Sequence, residues 1–292
     1  MRPTTSILSS RALVQRANSV HLRLQESRSS SWDDFLRPLW ETASTRVILL
    51  KILWYNMCNI DDTARQLKRI LDWRQRHQPG EMLKKALNRD AYEQACKVTC
   101  HDLGSGHLQV IIYNRYYDKV EDVQATFGDA AAFYRFRLYV VEKAMRLLMS
   151  SVETPIAPDL DYYRFITVDD LRRRPFPQPR VIHEAREQAR GLGYYYPNCL
   201  RARYEVNVPT LYGWYVWFWE SVRSKQEDAL FEGCRPGRYR VKDGRDLARE
   251  MFKREAGLEV ARLPHEYGGQ NGTLSGQVNV LSYTGGKNAH FA

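Results

Sequence analysis

The chain has 292 residues, 43% hydrophobic and 27% charged, a balance that excludes a disordered or collagen-like chain and allows a core without metal or disulfide support. Lys and Arg exceed Asp and Glu by 44 to 34, and the resulting +10 suits nucleic acid, anionic lipid or an acidic protein without choosing among them. No apolar run reaches the roughly 18 residues of a spanning helix, which excludes a polytopic membrane protein.

Residues 1–31 hold five Arg, eight Ser and one acidic residue, Glu26. That composition is shared by mitochondrial targeting segments and by disordered basic tails. Residues 1–32 are therefore set apart as an N-terminal extension, and the expected location is mitochondrial, at the inner membrane.

Val47 to Trp54 is helical in pattern. Asn59 is placed to cap the next helix, with Asp61 and Asp62 in a first turn where the helix dipole favours negative charge. Ile60, Ala64, Leu67 and Leu71 repeat at helical spacing, Trp73 follows, and Pro79-Gly80 ends the helix. Residues 33–85 thus read as a helical front unit. Leu108 to Tyr113, after Gly104-Ser105-Gly106, reads as a buried strand. Phe133, Phe136, Val140, Ala144, Leu147 and Leu148 mark a long amphipathic helix. Phe165 to Val168 is a second strand and Arg172 to Arg180 a Pro-rich basic loop. His183 to Leu192 is a helix and Tyr204 to Val208 a third strand. A helix after Pro209 and a mixed basic segment complete an α/β domain over residues 86–269, and residues 270–292 read as a tail. Strands alternating with helices imply a largely parallel sheet.

Chemistry-bearing motifs are sparse. The cysteines Cys58, Cys96, Cys100, Cys199 and Cys234 are odd in number and lack paired spacing, so reduced thiols are expected. Cys96, Cys100 and His101 have no second ligand pair, and no metal is expected. Gly191-Leu192-Gly193 lacks the third glycine of a dinucleotide loop, and no cofactor is expected. His101, His107, His183 and His265 are scattered and no nucleophile sits in a recognisable elbow, so the chain reads as non-catalytic. Arg172-Arg173-Arg174 lies in a loop with no nucleic-acid-binding motif, and a solvated or partner-facing role is favoured over nucleic acid.

Four stretches in this order resemble the CRAL-TRIO family, which includes phosphatidylinositol-transfer and retinaldehyde-binding proteins. They are Leu49-Leu50-Lys51-Ile52-Leu53 with the helix running to Trp73-Arg74; Phe165 to Leu171, a strand ending in acid; Tyr196-Pro197 followed by Val206-Asn207-Val208-Pro209; and Leu263-Pro264-His265-Glu266-Tyr267-Gly268-Gly269. The resemblance implies an α/β CRAL-TRIO fold, with a helical N-terminal unit and a mostly parallel sheet flanked by helices. It also implies an apolar cavity gated by the helix after Pro209. Residues taken by resemblance to line cavity or gate are Asn56, Met57, Tyr212, Trp214, Trp217 and Phe218. Phosphatidylinositol-binding members carry a basic pair where Asn56 and Met57 stand, and a hydroxyl and a basic residue near Trp214 and Trp217. Those replacements lack charge-assisted donors for a phosphate, so poor binding of inositol phospholipid is expected.

Leu211 to Val222 is apolar almost all round, and twelve helical residues span only about 18 Å, too short to cross a bilayer. Core packing, a ligand, a membrane interface or a protein partner each account for a second aromatic face, and Tyr215, Trp219 and Val222 are the candidate partner interface. The targeting-like arm, the absent headgroup charges and this segment lead to an expected role as a non-catalytic accessory subunit of a membrane-associated mitochondrial complex. Such a complex would be of the respiratory-chain or ATP-synthase type, with the cavity retained for lipid. The alternative is a carrier or transfer protein for a lipid or other hydrophobic ligand.

Overall fold

The computed structural model describes residues 19, 43–79, 95–103, 108–115, 130–150, 163–173, 180, 184, 192–209, 237–254 and 262–274. Among them no helix is long and apolar enough to cross a membrane.

The front unit is a helical hairpin, α1 (Ala43–Tyr55) and α2 (Ile60–His77). Asn59 is extended, at φ −77° and ψ 118°, and its side chain accepts from the Asp62 amide at 3.1 Å, as the capping pattern predicts. The helix ends through Gln78 in the left-handed region at φ 42°. Leu67, Ile70 and Leu71 of α2 lie on one face and pack on Leu49, Ile52 and Leu53 of α1.

The domain is built on one five-stranded sheet in the order β1 (Cys96–Asp102), β2 (Leu108–Asn114), β3 (Phe165–Asp170), β4 (Leu200–Val206) and β5 (Gly237–Val241). The β1–β2 pair is an antiparallel hairpin, and every later pair is parallel. Spatial order equals chain order, so right-handed crossovers must put successive connections on one face. Consistent with this, α3 (Ala130–Ser150) and the buried Cys199, just before β4, both pack on the first face of the sheet. The second face is covered by α5 (Leu247–Arg254) and the stretch from Leu263 to Leu274. Leu274, in the segment expected to be tail, is 1% exposed, so core packing extends that far.

The strands β2, β3 and β4 correspond to the three legible in the sequence, whereas β1 and β5 were not anticipated. In β1, alternation places Cys96 and Cys100 on the first face and His101 on the second, so these side chains diverge. Burial pushes both thiols up to about 12.

Three of the family-like stretches converge at the C-terminal ends of β3 and β4. Asp170 accepts from the Arg172 amide at 3.0 Å, the Asn207 side chain at 2.9 Å and the Tyr267 hydroxyl at 3.1 Å. Asn207, left-handed at φ 53°, accepts in turn from the Gly244 amide at 2.8 Å. Gly268 follows at φ 80°, where a Cβ would sit 1.9 Å from the Arg245 carbonyl oxygen. Tyr267 stacks on Tyr113 with centroids 5.3 Å apart, and burial, reinforced by Asp170, holds its hydroxyl proton well above the usual range. These motifs lock the closing segment onto the sheet.

Candidate ligand-binding site

The first face of the sheet is divided. Beneath α3 it is apolar: Val98, Val110, Ile112 and Phe165 meet Phe133, Phe136, Val140 and Leu148. Beyond β2 it turns polar. Register aligns Ile112, Thr167, Arg203 and Arg238 in one row across the strands and Asn114, Asp169, Glu205 and Arg240 in the next. On the other face the same strands present Val168, Tyr204, Val206, Tyr239 and Val241 to the second core. Strict alternation therefore separates a hydrophobic surface from a charged one.

The charged row is a continuous network. Arg137 of α3 donates to Asn114 at 2.6 Å, and Asn114 donates to Asp169 at 2.5 Å. Arg203 meets Asp169 at 2.6 Å, while Glu205 receives Arg238 at 2.7 Å and Arg240 at 3.3 Å. Asp169 lifts the Arg203 pKa further above its usual value, with Glu205 adding to the effect. Burial opposes the Glu205 charge, but Arg203 and Arg238 outweigh it and hold its pKa below the ordinary carboxylate range. Arg203, Arg238 and Arg240 keep 37%, 49% and 31% of their side-chain surfaces accessible.

The front unit is clamped to this domain by a second network. Arg74 grips Glu142 of α3 with two bonds, 2.7 and 3.1 Å, and the Tyr196 hydroxyl donates to the same carboxylate. Burial and then Glu142 keep the Tyr196 proton on well above the normal range. Trp73 stacks on Tyr195 at 4.5 Å, in the short helix α4 (Leu192–Tyr195). Gln66 donates to the Tyr194 carbonyl at 2.9 Å. The buried Lys51 ammonium donates to the Tyr163 carbonyl.

Of the site residues read from the sequence, Asn56 closes the α1–α2 bracket. Its amide donates to the Ile52 carbonyl at 2.8 Å and to Gln66 at 2.6 Å. Met57 sits on the turn at φ 50° and is 75% exposed. Tyr212, Trp214, Tyr215, Trp217, Phe218, Trp219 and Val222 lie outside the described residues. The residues that the sequence reading missed are Arg203, Arg238 and Arg240. Their signal was present, as an arginine alternating with tyrosine in Arg203-Tyr204 and Arg238-Tyr239-Arg240.

No family model matches the chain. It is similar to curated phosphatidylinositol transfer proteins of fungi. It is 26% identical over 240 residues to sfh-5 of Neurospora crassa, covering 79% of this chain and 64% of that one. The identity is 28% over 259 residues to sfh5 of Sclerotinia sclerotiorum, covering 87% and 59%, and 27% over 240 residues to SFH5 of Chaetomium globosum, covering 80% and 53%. The chain thus spans between half and two-thirds of these relatives' lengths. A crystal structure of Sfh5 superimposes with a TM-score of 0.60 at 15% identity, covering 83% of this chain and 84% of that one. The resemblance to the CRAL-TRIO family is borne out, and the fold is the α/β fold it implies.

These matches correct the main functional expectation. Relatives aligned over most of the chain are named as lipid transfer proteins, which overturns the reading as an accessory subunit of a mitochondrial respiratory or ATP-synthase complex, and no mitochondrial subunit partner is supported. The expectation of poor inositol phospholipid binding rested on positions 56, 57, 214 and 217, of which the last two lie outside the described residues.

Proposed function

We propose that this CRAL-TRIO chain is a non-catalytic carrier that encloses a phospholipid and exchanges it between membranes. The observation that carries the reading is the row of arginines on one sheet face, Arg203, Arg238 and Arg240, which keep 37%, 49% and 31% of their side-chain surfaces accessible beside an apolar core already filled by α3. A phospholipid headgroup seeks charge-assisted donors of this kind. The relatives' names point to phosphatidylinositol as the first ligand to try.

The test is a transfer assay with the purified full chain, moving labelled phosphatidylinositol from donor to acceptor vesicles, together with mass spectrometry of an organic extract of the protein. The expected result is saturable transfer and a phospholipid extracted at up to one per chain. An extract empty of lipid together with transfer no faster than the protein-free control would refute the carrier reading.

A further inference from the structure

The outside of α5 carries a charged surface of its own. Leu247, Ala248 and Met251 turn inward to the core on the second face of the sheet. Helical spacing then turns Arg249, Phe252 and Lys253 outward, in line with Arg245 of the 3₁₀ turn Gly244–Asp246 that leads into the helix. Phe252 is 64% exposed, an aromatic ring standing in water between cations. Residues 242–254 hold five exposed cations, Lys242, Arg245, Arg249, Lys253 and Arg254, against three carboxylates, Asp243, Asp246 and Glu250.

Each carboxylate is engaged by a near neighbour. Arg245 meets Asp243 at 2.8 Å, Arg249 meets Asp246 at 3.1 Å and Lys253 meets Glu250 at 3.0 Å. The basic loop after β3 adjoins this surface, because Arg245 and then Arg172 together hold the Asp243 carboxyl below its usual range. Arg172 is balanced by the buried Asp170 at 3.6 Å, and the exposed Arg173 beside it brings the surface to three positive charges in excess. The patch is fixed in place, since Asn207 accepts from the Gly244 amide at 2.8 Å and donates to Asp170 at 2.9 Å. It lies across the sheet from Arg203, Arg238 and Arg240, so the two surfaces can be altered independently.

The centre of a protein interface is apolar and depleted of charge, of Lys above all. This surface has the reverse composition, cations set around a single ring. Such a surface suits a bilayer rich in anionic lipid, where cations lie among the headgroups and an aromatic ring reaches the acyl boundary. We infer that the outer face of α5, with Arg249, Phe252 and Lys253 at its centre and Arg173 and Arg245 at its rim, docks the chain on an anionic membrane surface. The inference deepens the carrier reading and rests on it for the choice of a membrane.

The experiment is sedimentation of the full chain with vesicles of phosphatidylcholine alone or of equal parts phosphatidylcholine and phosphatidylserine. The chain should bind the mixed vesicles, bind phosphatidylcholine alone far less, and be released as salt is raised. The variant Arg249→Gln/Lys253→Gln should weaken binding to the mixed vesicles by about tenfold or more, since each cation near an anionic surface contributes about fivefold. Phe252→Ser should weaken it by about threefold or more while leaving its salt dependence unchanged. These side chains are exposed, and circular dichroism checks that both variants fold. Should the paired variant unfold, Phe252→Ser decides the matter.

If the variants bind the mixed vesicles as tightly as the unsubstituted chain, or if that chain does not bind them at all, the docking face is refuted whatever the transfer assay shows. If the chain binds through these residues yet transfers no lipid and yields none on extraction, the docking face stands and the carrier reading falls. A single-stranded RNA oligonucleotide that binds more tightly than the vesicles, and is lost in the same variants, would overturn the assignment to a membrane.

Discussion

Replacing Glu142 by Gln should uncouple the helical front unit from the sheet domain. The carboxylate accepts two bonds from Arg74 and one from Tyr196, and only 5% of its side chain is accessible. Arg74 retains 28% accessibility, so water recovers part of what its guanidinium loses. Breaking a buried pair from one side costs about 3–5 kcal/mol, and the residual solvation of Arg74 places this case near the lower end, at roughly 3 kcal/mol. For a domain of this size that corresponds to a fall in Tm of about 6–12 °C. The assay is urea and thermal unfolding followed by tryptophan fluorescence, which reports on Trp73 beside Tyr195 and Tyr196. The paired variant Arg74→Met with Glu142→Leu removes both charges and should lose less than Glu142→Gln alone, because no buried charge is left unmatched. A Glu142→Gln protein within about 0.5 kcal/mol of the unsubstituted chain, or a paired variant that loses more than the single one, would refute this account.

Three further outcomes are expected. Burial and the nearby Arg262 hold His101 down to about 4 from its ordinary 6.5, so it stays neutral in the fold while the unfolded chain takes up a proton below pH 6.5. Its contribution is therefore present above pH 6.5 and lost as pH falls toward 4, so between pH 7 and 4.5 the unsubstituted chain should lose roughly 2–3 kcal/mol more than His101→Gln in parallel urea titrations. Gly268→Ala should abolish or severely reduce folded yield, since its Cβ would meet a backbone oxygen at 1.9 Å, whereas Gly272→Ala, at φ 57° with nothing within 4 Å, should cost only about 1–2 kcal/mol by thermal melting. Tyr267→Phe removes one of the donors to Asp170 and should cost about 1.5–3 kcal/mol in urea unfolding, and an unchanged midpoint would mean that the hydroxyl does not secure the closing segment.

The front unit was legible because its determinants are local. An Asn at the cap, two Asp in the first turn and an apolar stripe at helical spacing specify a helix whatever surrounds it, and α2 begins and caps as those residues require. The strands β2 and β3 were legible as short apolar runs, because a strand buried on both faces announces itself without its partners. The closing motif was legible as a family-like pattern, but its reason was not. Asn207 accepts from the Gly244 amide, and the Arg245 carbonyl closes the space a side chain at Gly268 would need, both meetings of residues far apart along the chain.

The charged sheet face belongs to tertiary structure alone. In Gly237-Arg238-Tyr239-Arg240-Val241 the alternation is visible, yet an arginine every second residue reads equally well as the wet side of a strand or as a basic loop. Period two tells which side chains share a face; it does not tell which strand lies alongside or whether that face is enclosed. Glu205 and Arg240 are 35 positions apart, and only the β4–β5 register brings them within 3.3 Å. The local pattern of residues announced α1, α2, α3 and the central strands, and it carried the resemblance that the relatives bear out, while α5 was not anticipated. The pairing of strands distant in the chain decided where the arginine and carboxylate network stands, because register is settled by the whole sheet and not by any one strand.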